Sequence, residues 1–357
     1  MFWRASQVGI PSFVRIKPQA LGRLGIYAQR EAYRKPVFLV SAGLPEALSQ
    51  PVLEGFEAKG IKIHRWIEVD GADFDSATNL LAELPSDCDA LLGLGGGKCL
   101  DLAKYVASLA GWPYYAVPTS LSNDGFCAPQ SSLTLRGRRR SLPAQLPFGV
   151  VVDMEACLQA PDFLWWSGVG DLVGKLTAIR DWKLAYHQCG EPVDDLAALL
   201  SNATVHQFLA RPTRDLEGIR LLATALMLNG VSMAMCGSSR PASGAEHLIS
   251  HALDKIAQRP RSHGLQVGVA AYLVSRLQND NAELISAVLD KTGFWQGIRN
   301  DPFSRHEWLQ AVEEAPAVKP ERFTVLSTRD CVDEVATLID QDKVLRGCFV
   351  DEPSNKR

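Results

Sequence analysis

The chain has 357 residues, of which 46% are hydrophobic and 22% charged, and its 37 basic and 40 acidic side chains leave a formal net charge of -3. That length predicts two domains with a sizeable core, and that charge excludes the basic footprint of a nucleic-acid binder. No stretch approaches the roughly 20 apolar residues that span a bilayer, and the start, MFWRASQVGIPS, lacks the apolar run of a secretory signal.

PVFLVSAG (36–43) reads as a buried strand ending in a turn, and LPEALSQPVLEGFEAKG as a helix interrupted near Pro51. IKIHRWIEV (61–69) is a second strand, SATNLLAEL (76–84) a helix, and CDALLGLGGG (88–97) a third strand running into glycines. KCLDLAKYVASLAG (98–111) then forms a helix and PYYAVPTS (113–120) a strand. This alternation predicts a parallel sheet covered by helices on both faces. SSLTLRGRRRSLPAQLPFGVVVD reads as a hairpin or extended excursion followed by a strand. Beyond residue 160 amphipathic helical patterns dominate, such as LVGKLTAIRDWKLAYHQ and LQVGVAAYLVSRLQ. The expected organisation is an α/β domain over 1–156 and an all-α domain over 157–357. The tail, DEPSNKR, has the composition of a frayed end.

The eight cysteines form no CxxC pair, which removes zinc-ribbon and thioredoxin-like readings. Their scatter over a long chain without a signal peptide predicts reduced thiols and a cytoplasmic location.

Two features carry chemistry. Gly93-Leu94-Gly95-Gly96-Gly97-Lys98 follows an apolar strand and opens a helix. Glycines admit a ligand close to the backbone, and the helix start offers free N–H groups and a positive dipole end, which suit a pyrophosphate. Asp101 is expected in the first helical turn. The loop fits neither GxGxxG nor the complete P-loop pattern, because Cys99 follows Lys98. A tight strand-to-helix turn is the structural alternative.

The second feature is a concentration of histidine. His247 and His251 are four apart, on one face of a predicted helix, and His263 begins the next apolar stretch. Such a pair can equally be hydrogen-bonded histidines on a helix face. A carboxylate would complete three protein ligands with one open position, the pattern of catalytic zinc. Asp171, in GVGDL, reads equally as that ligand or as the N-cap of the amphipathic helix after it. A metal that polarises an oxygen, beside a dinucleotide that exchanges hydride, describes alcohol–ketone interconversion.

In order along the chain, GLGGGKCLDLAK, PTSLSNDG, GVGDL, RDWKLA, RPASGAEHLISHALD, SHGLQVG and RFTVLS (322–327) resemble the metal-dependent sn-glycerol-1-phosphate dehydrogenases. These belong to the wider superfamily of iron-containing alcohol dehydrogenases, glycerol dehydrogenases and dehydroquinate synthases. The likeness runs from about residue 35 to 328. It implies an active site in the cleft between an N-terminal dinucleotide-binding domain and a C-terminal helical domain. It implies Gly95, Gly96 and Gly97, with Lys98, Asp101, Thr119, Ser120 and Ser122, at the NAD or NADP cofactor, and Asp171, His247 and His263 as ligands of one divalent metal. His251 takes the role of proton relay and Asp124 lies near the substrate. Zinc is the first expectation, with nickel and iron compatible with an Asp/His site.

Two positions depart from the family pattern. Asn123 stands where the family often has histidine, and Val40-Ser41-Ala42-Gly43 ends the first strand without a carboxylate for the ribose, which leaves NAD against NADP open. The implied reaction is reversible reduction of dihydroxyacetone phosphate to sn-glycerol 1-phosphate, a small polyol phosphate. Arg138, Arg139 and Arg140 read as a solvated hairpin tip. Arg240, Lys255, Arg259 and Arg261 are the other cations offered for the phosphate, and the sequence does not choose among them. The helical half offers surfaces for a homo-oligomer. The competing functions are a dehydrogenase for glycerol or another small alcohol, a dehydroquinate synthase-like lyase, and a non-catalytic binding protein.

Overall fold

The structure, a computed structural model, describes residues 9–351. These form two compact units: one runs to Ala160 and takes in Asp215–Met235, the other comprises Pro161–Arg214 and the chain from Cys236 onward. The boundary expected at 156 therefore falls four residues later, and one helix from the expected helical half belongs to the first unit. The DEPSNKR tail lies outside the described residues after its first aspartate.

The first unit is built on a six-stranded sheet in the order β1-β8-β5-β4-β2-β3. Its strands are β1 (Phe13–Lys17), β2 (Pro36–Ser41), β3 (Arg65–Val69), β4 (Ala90–Gly95), β5 (Tyr114–Pro118) and β8 (Gly149–Asp153), all in parallel pairings. The inner strands β4, β5 and β8 are buried at every position, and β2 at all but its last. Covered on both faces, they must read as continuous apolar runs. The edge strands β1 and β3 are half exposed. That explains two differences from the sequence reading. FVRIK carries charges at alternate positions and no apolar run, so β1 escaped notice, and only the last five residues of IKIHRWIEV pair as a strand.

Helices α1 (Leu24–Arg30) and α2 (Glu46–Glu57) pack on one face against Phe38, Val40, Leu92, Leu94, Tyr115 and Val117. Helix α2 continues through Pro51 without interruption. Helices α3 (Phe74–Glu83) and α4 (Gly97–Ala110) pack together, with α4 on β2, β4 and β5. The expected hairpin is β6 (Gln130–Leu135) and β7 (Arg138–Pro143), antiparallel and joined at Arg136-Gly137. Both turn residues have positive φ, 52° and 72°, the backbone of a type I′ turn. Arg138, Arg139 and Arg140 are exposed on β7.

After α5 (Met154–Gln159), the second unit consists mainly of helices: α6 (Asp162–Cys189), α7 (Asp195–Leu209), α9 (Ala245–Ile256), α10 (His263–Gln278), α11 (Ala282–Lys291), α12 (Phe294–Asn300), α13 (Arg305–Val318) and α14 (Val332–Gln341). A short parallel pair, β9 (Phe303–Ser304) with β10 (Phe349–Val350), completes it. Between α7 and α9 runs α8 (Leu216–Cys236), most of which joins the first unit, where Gly230 seats against the Cys127 carbonyl. Contrary to the sequence reading, α8 is long and apolar enough to cross a membrane. Two-thirds of its apolar window is buried inside the protein, as in a core helix. All eight cysteines are free thiols.

Candidate active site residues in two units

In the first unit the chain leaves β2 toward β3 on one side and resumes at β4 on the other. The carboxyl ends of β2 and β4 thus form a topological switch point, the place where open α/β sheets bind ligands. Ser41 ends β2, and its Oγ accepts a hydrogen bond from Gly96 N at 3.0 Å. Gly95 ends β4 with φ +145°, and a Cβ there would stand 2.1 Å from Ser41 Oγ. Only glycine fits. A Cβ on Gly96 or Gly97 would meet nothing within 4 Å, so the loop faces open space. The helix that starts there, α4, directs its free N–H groups into that space.

Around this loop the expected residues separate. The Thr119 N–H donates to Gly95 O at 3.1 Å, which holds Thr119 and the half-buried Ser120 beside the loop. Asp101 lies in the second turn of α4, not the first, because the helix begins at Gly97. It is buried with its carboxylate 3.5 Å from Lys104 Nζ. Burial pushes its pKa up against the pull of Lys104. Lys104 in turn donates to Gly125 O at 2.6 Å, which fastens the turn carrying Asp124. Asn123 caps that turn, its Oδ1 accepting from Gly125 N at 2.9 Å. The departure from histidine at 123 is thus filled by a capping role. Ser122 and Asp124 are half-buried at this turn.

In the second unit Asp171 is fully buried and well inside α6. The N-cap reading fails, because the helix starts nine residues earlier, at Asp162. Helices α6 and α10 approach closely: a Cβ on Gly264 would stand 1.8 Å from Ser167 O, and one on Gly170 2.0 Å from Gly264 O. This approach brings His263, the first residue of α10, to Asp171. The His263 Nε2 lies 3.9 Å and the His247 Nε2 3.4 Å from Asp171 Oδ1. Ligand atoms of Asp171, His247 and His263 lie within 4.8 Å of one another. Tetrahedral coordination at Zn–N and Zn–O lengths near 2.1 Å places ligand atoms about 3.4 Å apart. The trio fits one small divalent ion, with two imidazoles and a carboxylate as donors.

Each imidazole is oriented from behind. His247 Nδ1 lies 2.8 Å from Glu246 Oε1, and Glu246 Oε2 accepts from Thr177 Oγ1 at 2.8 Å. Ser250 Oγ donates to Gln266 Oε1 at 2.7 Å and so accepts from His263 Nδ1 at 3.0 Å. Protons on both Nδ1 atoms leave both Nε2 lone pairs toward Asp171, the arrangement that supports metal-ligating histidine. Burial and the charge of His247 push His263 down to about 3, so its ring is neutral. Burial would lower His247 as well, but its bonds to Asp171 and Glu246 outweigh burial and raise it.

The Asp171 carboxyl is held well below its usual range against burial, chiefly by Lys175, whose Nζ lies 3.1 Å away inside the protein. His251 stands outside the trio, one-third exposed, stacked on His263 with ring centroids 5.8 Å apart and 4.0 Å from Asp254. Lys175, Glu246, Ser250 and Gln266 were missed in the sequence. Spacing offered two signals, Lys175 four residues after Asp171 and Glu246 beside His247, whereas Ser250 and Gln266 offered none.

A family model for iron-containing alcohol dehydrogenase matches residues 15–161. A glycerol-1-phosphate dehydrogenase [NAD(P)+] of Aeropyrum pernix is 33% identical over 345 residues, covering 94% of this chain and 97% of that protein. Its counterpart from Methanothermobacter thermautotrophicus is 34% identical over 80% of this chain and 83% of its own length. Among solved structures, a probable glycerol dehydrogenase from Sinorhizobium meliloti superposes with a TM-score of 0.73 at 19% identity, over 95% of this chain and all of that one. Glycerol dehydrogenase from Schizosaccharomyces pombe gives a TM-score of 0.71 at 17% identity, over 94% of this chain and 92% of that one. At such identities these two structures share the fold.

Proposed function

The chain belongs to the glycerol-1-phosphate dehydrogenase family, and we propose that it reversibly reduces dihydroxyacetone phosphate to sn-glycerol 1-phosphate with NADH or NADPH and a divalent metal. The observation that carries this reading is the trio of Asp171, His247 and His263, in a chain that spans nearly the whole length of a relative so named.

When bound, the metal polarises the substrate carbonyl and the reduced nicotinamide supplies hydride to the carbon. The chain's residues do the rest. The free N–H groups at the start of α4, with the helix dipole, hold the cofactor pyrophosphate against the Gly95-Gly96-Gly97 loop, and Lys98, Thr119, Ser120 and Ser122 line that part of the first unit. Asp124 is assigned to a substrate hydroxyl. Asp101 keeps its place beside the loop through Lys104, as a positioning group. Asp171, His247 and His263 hold the metal, while Glu246 and Ser250 keep both imidazoles aimed. His251 delivers a proton to the oxygen that becomes the secondary hydroxyl.

Zinc suits the three-ligand set best. Serine at the end of β2 puts no carboxylate against a ribose 2′-phosphate, so either cofactor is expected to serve. The deciding test follows absorbance at about 340 nm, the band of reduced nicotinamide, with dihydroxyacetone phosphate and each cofactor, before and after chelation. Turnover that survives complete metal removal, or glycerol preferred to glycerol 1-phosphate, rejects the proposal.

A further inference from the structure

A phosphoryl group brings negative charge that the metal trio does not meet, so a polyol phosphate needs a cation of its own. Most cations near the histidines are already committed. Arg240 grips Glu191 with two nitrogens and donates to Phe323 O at 2.8 Å. Arg259 and Arg261 both pair with Asp301. Lys175 is bound to Asp171, and Lys255 is exposed on α9.

Lys319, just after α13, differs from all of these. It is half-buried, and no hydrogen bond or ion pair engages its ammonium among the described residues. Burial and the neighbouring Arg322 push its pKa down, with only Glu321 pulling the other way. A half-buried ammonium without an ion-pair partner among the described residues is an unfavourable arrangement that an anionic ligand would relieve.

The backbone sets this pair in place. Arg322 N donates to Lys319 O at 2.9 Å and closes a turn. The Arg322 guanidinium donates to Ser243 O at 2.6 Å and Ser239 Oγ at 2.8 Å, residues that lead into α9. Helix α13 packs along α9, the helix carrying His247 and His251.

We propose that Lys319, on the turn that Arg322 anchors to the segment leading into α9, is the cation that recognises the substrate's phosphoryl group. This rests on the polyol-phosphate reading above. The same chemistry would suit free phosphate or the 2′-phosphate of NADP, so the test separates the sources. Metal-loaded, full-length Lys319→Gln, Lys319→Arg and the exposed control Lys255→Gln are compared with the parent protein.

The expected result for Lys319→Gln is a rise of about 10- to 100-fold in KM for dihydroxyacetone phosphate, the range for a lost charged hydrogen bond. kcat changes less, KM for NADPH holds, and competitive inhibition by inorganic phosphate weakens in step. Lys319→Arg recovers most of the loss, and Lys255→Gln shows none. Parental KM and phosphate inhibition in Lys319→Gln overturn the proposal, as does a rise confined to the KM for NADPH. Calorimetric titration of inorganic phosphate into parent and Lys319→Gln requires no turnover. If the parent fails to reduce dihydroxyacetone phosphate, the functional reading falls, and this titration still decides whether Lys319 binds phosphate.

Discussion

The glycine loop of the first unit and the Asp–His–His trio of the second are built on opposite principles. The loop occupies one short stretch and works through its backbone. Its shape depends on space, above all at Gly95 against Ser41. The trio draws side chains from residues 171, 247 and 263, on three helices. Its integrity depends on charge and hydrogen bonding, because a buried carboxylate, a buried ammonium and two imidazoles must satisfy one another. A backbone site should therefore fail through crowding, and a side-chain site through lost ligation.

Asp171→Asn tests the contrast most severely. The near-isosteric change removes the one carboxylate of the trio and the charge that Asp171 sets against buried Lys175. Metal content measured by mass spectrometry should fall close to zero, and turnover by roughly a thousand-fold or more. Full metal occupancy in this variant would break the distinction.

Gly95→Ala should act by crowding instead. The added methyl meets Ser41 at a positive φ, so a loss of about 2–4 kcal/mol in stability and a raised KM for the cofactor are expected. Metal content should stay at the parental level. Thermal unfolding, cofactor titration and metal analysis together read this out.

Ser250→Ala leaves all three ligands in place but removes the partner of His263 Nδ1. Chelator competition should show metal affinity weakened about 10- to 100-fold, with cofactor binding unaltered.

A smaller effect concerns pH. Burial and the nearby Glu246 raise Asp181 from 3.8 to about 7. Its folded-state pKa lies above its unfolded value, so the stability from its protonation is complete below the unfolded value and fades as pH rises through about 7. Melting temperature should decline between about pH 5 and 8 more steeply in the parent than in Asp181→Asn; parallel slopes would assign the decline to other groups. The smallest change is expected for Arg138→Ala on the exposed hairpin, with stability within about 0.5 kcal/mol of the parent and turnover unaltered.

Much of this architecture was legible in one dimension. Strands β2, β4, β5 and β8 announce themselves because a strand covered on both faces must be apolar throughout. Strand β1, at the sheet edge with Arg15 and Lys17, is under no such demand. The glycine loop was legible because its chemistry is local, and the histidines because four-residue spacing is a helical face. Asp171 stayed undecided between cap and ligand, since no local pattern revealed that α6 begins at Asp162.

By itself, then, the sequence determined the order of elements, the loop and the family likeness, all properties of contiguous segments. Tertiary structure decided which side chains meet. It carried His263 to Asp171 through the crossing of α6 and α10, and set Ser250 and Gln266 behind that ring. Such outcomes depend on distances between residues far apart in the chain, and periodicity carries no record of those distances.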